Sequence, residues 1–478
     1  MLILCVSIAL ALSVAAQPDA PERPNVLFII ADDLSAEALG CYDNAQVQTP
    51  NIDRLAERGV RFEHAYCQYP VCGPARAALM SGLYPQQNGV TSNSHKDILS
   101  TSLGDHPTLP EHFKNNGYTT ARCGKIYHMR VPGDITAGVH GPDHPASWTE
   151  RYSFKAPEQW TPGKAYQTCN TPLKPDPDRD IHYNLGYGPA FFIVEDPTYG
   201  AVQHDVKATN KAIELLGKYK QDSKPFFLAV GYVRPHVPLV APAAYFERYA
   251  VDETTLPEQI ENDLDDVPEI GWGRIGSRFG PDTDDKRRQT LRAYYASVSF
   301  MDAQVGRLLD ALDKQGLTDN TIVVFLSDHG YHLGEHDKWQ KMSLHEESVQ
   351  IPLIVAGPGI EPFDTRDLIV STVDIYPSLV ELAGLTKPRT DNLPGLGWEM
   401  VCKGVRGGIT SMTKNGHLIR TKRWAYMRYK DGSEELYDMV RDPKQFTNLA
   451  KDRGLRMRIQ DLRELLDRHL ETTGASKP

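Results

Sequence analysis

The chain alternates short, strongly apolar runs with longer segments of helical character. Three of the apolar runs are NVLFIIA at 25–31, PFFLAVGY at 225–232 and TIVVFL at 321–326. Their length and their composition are typical of buried strands. Helical patterns at 201–220 and 286–315 precede the second and the third run. Strands that alternate with helices predict an α/β fold, in which helices cover both faces of a mostly parallel sheet.

The pattern changes after residue 392. Residues 416–440 alternate apolar and polar side chains around a turn signal, which predicts an antiparallel hairpin or meander, and a charged helix follows at 454–470. A chain of 478 residues has room for up to about three domains. We therefore predict a larger domain at 24–392 and a smaller antiparallel-sheet domain at 393–478.

Two segments of the larger domain, 131–197 and 251–285, are rich in proline, glycine and charged residues. We predict that both are long surface loops near the mouth of a site.

The N-terminus carries an apolar run from Leu2 to Ala16 that is followed by polar, proline-rich sequence. This pattern predicts a signal peptide at 1–16 and a secreted or periplasmic protein. A short membrane anchor is the alternative, but the run falls below the roughly 20 residues of a spanning helix, and no later segment is apolar enough to span. The net charge of −10 argues against a general attraction to nucleic acid.

Six cysteines remain once Cys5 is removed with the signal peptide, and they are sparse and irregularly spaced. No CxxC pair indicates structural zinc. A bridge between Cys169 and Cys402 is conceivable in an exported protein, and the spacing does not decide it.

Polar side chains follow four of the predicted strands. Alone, an Asp pair after a strand is more often a turn or a helix cap, and a lone histidine is more often structural. Since the carboxyl ends of parallel strands form one edge of a sheet, the side chains together predict a site there. Three carboxylates and an imidazole suit Ca²⁺ or Mg²⁺ better than Zn²⁺. The residues are Asp32 and Asp33, Lys125 and His128, His236, and Asp328 and His329.

Several cationic or proton-donating side chains would accompany that metal. With a divalent cation they would hold a tetrahedral oxyanion ester, which leaves sulfate and phosphate esters as alternative substrates. They are Arg76, Lys125, His128, His236 and Lys341.

The segment around Cys72 distinguishes the two substrates. It reads VCGPARAALMSGLYP at 71–85 and resembles the signature of type I sulfatases, a C-x-P-x-R core followed by Leu/Met-[ST]-Gly. The resemblance implies that Cys72 is oxidised to formylglycine by a formylglycine-generating enzyme. Ala75 departs from the serine that is usual in the family. A buried structural cysteine at a helix start is the alternative interpretation.

The resemblance extends over nearly the whole mature chain, and within the family it is strongest to the iduronate-2-sulfatase type. It implies an alkaline-phosphatase-like fold with a small C-terminal subdomain. The matching segments include NVLFIIADDL, TPNIDRLAERGVRFEHAY, GYTTARCGKIYH, PFFLAVGYVRPHVP and SDHGYHLGEHDKW.

Carried over residue by residue, the resemblance implies a Ca²⁺ site and a set of catalytic groups. Arg76 would hold the formylglycine, Lys125 and His128 would lie at the sulfate and the aldehyde hydrate, and His236 and Lys341 would lie at the sulfate and the leaving oxygen. The implied calcium ligands are Asp32, Asp33, Asp328, His329 and the converted Cys72.

The implied activity is hydrolysis of sulfate esters on carbohydrates, with exo-acting removal of a 2-O-sulfate from uronate-containing fragments as the most specific expectation. One alternative is a phosphate or phosphonate ester hydrolase of the same superfamily. The other is a non-catalytic glycan-binding relative, which applies if Cys72 is never converted.

Overall fold

The computed structural model describes residues 23–94, 99, 103–169, 174–176, 179–183, 191–222, 224–272, 280–363, 365–388 and 393–474. The predicted signal peptide at 1–16 lies outside these residues and stays a prediction. No helix among the described residues combines the length and the apolar character that crossing a bilayer requires.

The described strands are numbered in chain order. They are β1 Asn25–Asp32, β2 Val60–Tyr66, β3 Thr119–Gly124, β4 Glu150–Tyr152, β5 Lys164–Gln167, β6 Lys174–Asp176, β7 Arg179–Tyr183, β8 Phe192–Asp196, β9 Phe226–Pro235, β10 Leu239–Pro242, β11 Thr321–Ser327, β12 His332–Leu333, β13 Trp339–Gln340, β14 Gln350–Ala356, β15 Val370–Ser371, β16 Ile409–Met412, β17 Gly416–Arg420, β18 Trp424–Tyr429 and β19 Glu434–Asp438.

The described α-helices are α1 Pro50–Glu57, α2 Cys72–Ser81, α3 Pro85–Asn88, α4 Leu109–Asn115, α5 Gly133–Ala137, α6 His204–Asp222, α7 Ala243–Phe246, α8 Glu269–Trp272, α9 Asp284–Lys314, α10 Glu346–Val349, α11 Ile375–Leu382, α12 Trp398–Cys402 and α13 Arg456–Thr472.

Eight strands form the central sheet, in the order β15-β2-β14-β11-β1-β9-β3-β4. All neighbouring pairs are parallel except the two that β14 makes with β11 and β2. The prediction of a mostly parallel sheet is therefore confirmed. The apolar run that contains β14 also forms a strand, but it runs against its neighbours.

Helices cover both faces of this sheet, and β1 shows why. All eight of its residues are buried. Successive side chains of a strand point to opposite faces, so Leu27 and Ile29 pack with α6 and α9, whereas Val26 and Phe28 pack with α2, α4 and α11. This double burial explains why β1 is an uninterrupted apolar run.

The prediction that 131–197 is a long surface loop is wrong for much of the segment. Its strand β4 pairs with β3 and extends the central sheet, and β5 and β8 form a second sheet with β10. These strands have only three to five residues, too few to show a period in the sequence. The described part of 251–285 holds the short helix α8 and otherwise consists mainly of turns, with many exposed residues.

The C-terminal part forms an antiparallel sheet in the order β16-β17-β18-β19, followed by α13, as the alternating pattern predicts. One face of this sheet packs on α13, through residues such as Tyr426 and Leu466. The other face joins the core of the larger sheet, through residues such as Leu418 and Met427. The boundary at residue 393 stays a prediction.

None of the six described cysteines forms a disulfide, so Cys169 and Cys402 are not bridged.

Candidate active site

The predicted site residues meet at one edge of the central sheet, beyond the carboxyl ends of four adjacent parallel strands. The strands β11, β1, β9 and β3 lie side by side in that order. Asp32 and Asp33 stand at the end of β1, and Asp328 and His329 directly follow β11. Because these strands are parallel, residues far apart in the sequence reach the same edge.

Three buried carboxylates form the centre of the site. Oxygens of Asp32, Asp33 and Asp328 lie within 4.8 Å of one another. The backbone N–H of Asp33 donates to Asp328 Oδ1 at 3.2 Å, which joins the ends of the two strands. Asp33 has a φ of +63°, a left-handed conformation that Asp and Asn tolerate better than most residues.

Arg76 binds this cluster from α2 and is fully buried. Its Nε donates to Asp328 Oδ2 at 2.8 Å, and its Nη2 donates to Asp32 Oδ1 at 3.2 Å. Its Nη1 donates to the carbonyls of Lys125 and Ile126 at 2.5 and 3.1 Å. One guanidinium therefore connects the ends of β1 and β11 to the loop that follows β3.

Cys72 is the first residue of α2, and its thiol lies where the carboxylates meet the cations. Its Sγ is 3.3 Å from Lys341 Nζ, 3.4 Å from His329 Nε2 and 3.9 Å from Asp33 Oδ1. The thiol is 1% exposed. Cys72 is also the first residue of a helix, where the helix dipole favours negative charge.

Lys341 and His329 approach the same carboxylate. His329 Nε2 is 3.3 Å from Asp33 Oδ1, which also pairs with Lys341 Nζ. The residues on either side of Lys341, Gln340 and Met342, have φ values of +79° and +83°. Two non-glycine residues in this conformation, one on each side of Lys341, indicate a backbone constrained to present that side chain.

Lys125, His128 and His236 complete the group. Lys125 Nζ donates to Asp32 Oδ2 at 2.5 Å. His236 Nε2 is 3.6 Å from Asp33 Oδ2, and His236 Nδ1 lies 2.5 Å from the carbonyl of Val237. His128 is buried near Lys125, and its Nδ1 has no hydrogen-bond partner among the described residues.

The charges set the pKa values of these groups. Burial opposes ionisation of Asp32, yet Lys125, His236 and Arg76 together hold the pKa of its carboxyl well below the usual range. Burial also opposes the charged form of His236, but Asp33 and Asp32 raise its pKa. His128 has no such anion close enough to prevail, so burial and the Lys125 ammonium lower its pKa to about 2.

These values divide the histidines into two kinds. His128 is held as a neutral imidazole that can accept a proton, and His236 is favoured as an imidazolium that can donate one.

The donor set fits a divalent cation that prefers oxygen. The three carboxylates place oxygens close enough together for a Ca²⁺ ion, which binds oxygen at about 2.3–2.6 Å. His329 and the side chain at position 72 form a second group with Asp33 at the same place. Hard carboxylate ligands dominate, which disfavours zinc.

Two side chains near the site are not among the predicted site residues. Tyr294, on the long helix α9, donates its hydroxyl to the carbonyl of Asp33 at 2.6 Å and accepts the N–H of Ser35 at 2.9 Å. Asn93 Oδ1 accepts the N–H of Gly73 at 2.8 Å, next to Cys72. The sequence gives neither residue a site role, because each contact depends on how distant segments pack.

A family model, described as Sulfatase, matches residues 24–385. The chain belongs to the sulfatase family. A sulfatase of Formosa agariphila is 33% identical over 467 residues, which cover 93% of this chain and 86% of that protein. Mouse (Mus musculus) iduronate 2-sulfatase is 35% identical over 439 residues, which cover 83% of this chain and 76% of that protein.

Solved structures agree with the fold of this sulfatase. A 2-O GAG sulfatase superposes with a TM-score of 0.67 at 24% identity, covering 95% of this chain and 93% of that one. The phosphonate monoester hydrolase of Agrobacterium radiobacter superposes with a TM-score of 0.74 at 22% identity, covering 94% and 96%. These likenesses confirm the predicted fold, and family membership makes this sulfatase a sulfuric ester hydrolase.

Proposed function

We propose that this sulfatase removes a 2-O-sulfate from a uronate at the end of a glycan fragment, using Ca²⁺ and a formylglycine made from Cys72. The observation that carries the proposal is the position of the Cys72 thiol, within 4 Å of both a carboxylate and an ammonium group. A nucleophile at this point would face the sulfur of an ester whose oxygens are held by the cations.

The charge balance supports a metal and an anionic substrate together. Arg76, Lys125 and Lys341 match the three carboxylates one for one. With the imidazolium of His236, a divalent cation bound there would give the site three net positive charges. These would stabilise the single negative charge of a sulfate ester and the charge that the nucleophile gains.

Formylglycine would supply, as its hydrate, a nucleophilic hydroxyl and a second hydroxyl through which sulfate can leave, and Ca²⁺ would supply positive charge at the ester oxygens. Asp32, Asp33, Asp328 and His329 would hold the cation. Arg76 fixes the carboxylates, and Lys125 and Lys341 neutralise the sulfate oxygens.

The two histidines would move the protons. His236 points its Nε2 into the site, and Asp33 favours its charged form, which suits a general acid for the departing sugar oxygen. His128, held neutral, would accept a proton from the side chain at position 72. Lys341 would assist His236 by stabilising the leaving oxygen.

The substrate class is supported by the relatives. Two iduronate 2-sulfatases, of mouse and human, are 35% and 34% identical to this chain. We therefore propose a sulfated carbohydrate with a 2-O-sulfated uronate, in a secreted or periplasmic setting where such fragments are found.

The test is an assay of sulfate release from a panel of sulfated disaccharides, with phosphate and phosphonate esters alongside. The protein is produced with a formylglycine-generating enzyme and calcium. We expect release from the 2-O-sulfated uronate. Release from another sulfated sugar alone would overturn the substrate, and release of phosphate without sulfate would favour the phosphate ester hydrolase. Binding of glycans without any release, in protein shown by mass spectrometry to be unconverted at Cys72, would favour the non-catalytic alternative.

A further inference from the structure

The loop that carries His236 is held by a buried arginine that belongs to none of the site groups described above. Arg234 stands near the end of β9, two residues before His236, and it is 1% exposed. Its Nη1 donates to the carbonyl of His236 at 3.2 Å and to that of Pro238 at 3.2 Å. Its Nε donates to the carbonyl of Val240 at 2.9 Å.

A carboxylate neutralises this guanidinium from another part of the chain. Glu158 Oε2 accepts from Arg234 Nη2 at 2.8 Å, and its side chain is fully buried. A guanidinium presents several donors in one rigid plane, so a single side chain can satisfy three carbonyls and a carboxylate at once. Lysine, with a compact ammonium on a flexible stem, cannot reproduce this arrangement.

The strand is held just before the loop as well. Asp205, in the first turn of α6, accepts the N–H of Val233 at 2.9 Å and the N–H of Arg234 at 3.0 Å. The Asp205 carboxylate therefore fixes the backbone before His236, and the Arg234 side chain fixes the backbone after it.

These contacts bear directly on the imidazole. His236 Nδ1 lies 2.5 Å from the carbonyl of Val237, and Nε2 consequently faces Asp33. Arg234 binds the carbonyls on either side of that of Val237, at His236 and Pro238. The carbonyl of Val237 orients the ring, and Arg234 fixes its position by binding the carbonyls before and after it.

We propose that Arg234 is a positioning residue, which aims His236 Nε2 into the active site by fixing the backbone of residues 236–240. The proposal rests on the proposed function for the role of His236. Because a misplacement of about 1 Å can lower a rate about 100-fold, loss of the clamp should impair turnover even though Arg234 touches no substrate.

The experiment is a double-mutant cycle of Arg234→Lys and His236→Ala, with phenyl sulfate and 4-nitrophenyl sulfate as substrates. These aryl sulfates make the outcome independent of which sugar the enzyme cuts. We expect Arg234→Lys to lower kcat on phenyl sulfate about 10- to 100-fold, with a smaller loss on 4-nitrophenyl sulfate and little change in KM. In the His236→Ala background the same change should cost less than about 3-fold, because residues that act through one group are not additive.

Two further variants separate positioning from general destabilisation. Arg420→Lys is the matched control, since Arg420 is also buried, pairs with Glu346 at 2.9 Å and donates to the carbonyls of Thr421 and Lys422. It should leave kcat within about 3-fold of wild type. Glu158→Gln keeps the size of the side chain that neutralises Arg234, and it replaces Arg234→Lys in the cycle if that variant does not fold.

Equal losses from Arg234→Lys with and without His236 would overturn the proposal, as would no loss at all, or an equal loss from Arg420→Lys. The single variant His236→Ala reports separately on the proposed function. If it affects both aryl sulfates alike, the acid role of His236 fails, while the cycle still shows whether Arg234 acts through that residue.

Discussion

Two clusters of carboxylates lie in this sulfatase, and they are in opposite electrostatic states. In the active site, Asp32 and Asp33 have lowered pKa values, because cations overcome the cost of burial. The second cluster lines a cavity near the end of β12 and consists of Glu37, Glu335 and Glu347; we call it the glutamate cavity.

The glutamate cavity lacks a balancing set of cations. Burial and the neighbouring carboxylate of Glu37 raise the pKa of Glu335 to about 8, and burial also raises the pKa of Glu347. Lys444 lines the cavity but pairs with Glu258, at 3.0 Å. Within the part of the chain that the structure describes, Glu347 Oε2 accepts no hydrogen bond.

The difference shows what keeps an acidic cluster ionised and therefore suited to a metal ion. Charge on buried carboxylates persists only where fixed cations stabilise it, and those cations are then available to a substrate anion. Carboxyl groups that keep their protons carry no negative charge and therefore bind a metal ion poorly.

The largest effect should come from the residue at which carboxylates and cations meet. Cys72→Ala should lower sulfate release by at least about 10⁴-fold, since a covalent mechanism has no substitute for its nucleophile. Cys67→Ala is the matched control, because Cys67 is also buried, lies five residues away and turns its thiol to the carbonyl of Ser348. Turnover by Cys72→Ala near that of the control would refute the covalent route.

The acid role of His236 should produce the next largest effect. His236→Ala should slow a sulfated sugar about 10³-fold and 4-nitrophenyl sulfate much less, because an activated leaving group needs little protonation. The measurement is kcat on both substrates. Losses of the same size would remove His236 from that role.

Metal binding provides a direct contrast between the clusters. Asp33→Asn should weaken Ca²⁺ binding roughly 100-fold, since it removes one ligand charge while Asn accepts the backbone conformation at φ +63°. Glu335→Gln should leave the affinity unchanged. Isothermal titration calorimetry measures both, and a weakened affinity in Glu335→Gln would show that the glutamate cavity binds the metal.

The smallest effect concerns stability and pH. A Glu335 carboxyl with a pKa of about 8 keeps its proton in the folded state at a pH where the unfolded chain has lost it. Unfolding then releases a proton, so stability falls as pH rises from about 4 to about 8. Glu335→Gln should lessen this fall, which raises Tm by a few degrees at pH 8 relative to pH 5.

The control for this experiment is Glu261→Gln, at an exposed glutamate. An equal change in the pH dependence of Tm in both variants would mean that Glu335 does not hold its proton.

Much of this site can be predicted from the sequence, because the carboxyl ends of parallel strands lie side by side. The apolar run of β1 ends at Asp32, and that of β11 ends just before Asp328, so the meeting of these carboxylates could be predicted from strand boundaries alone. Pro74 predicts a helix that begins at that residue, and α2 begins two residues earlier, at Cys72.

Other features depend on the path of the chain, which no local pattern records. The direction of β14 is decided by the connection that brings it back from β11, and its composition would suit either direction. Arg234 looks like any residue before a proline until its three carbonyl partners are in place. The glutamate cavity is lined by residues 37, 335 and 347, and their spacing in the sequence does not predict that they meet.

The burial of Cys72 also fixes an order of events. A thiol that is 1% exposed, in a helix whose ten residues are all buried, cannot enter the cleft of another enzyme. Any enzyme that oxidises this cysteine must therefore reach it while residues 71–85 are still extended. Under the proposed function, conversion of Cys72 would have to precede folding, and a chain that folds first would keep its thiol.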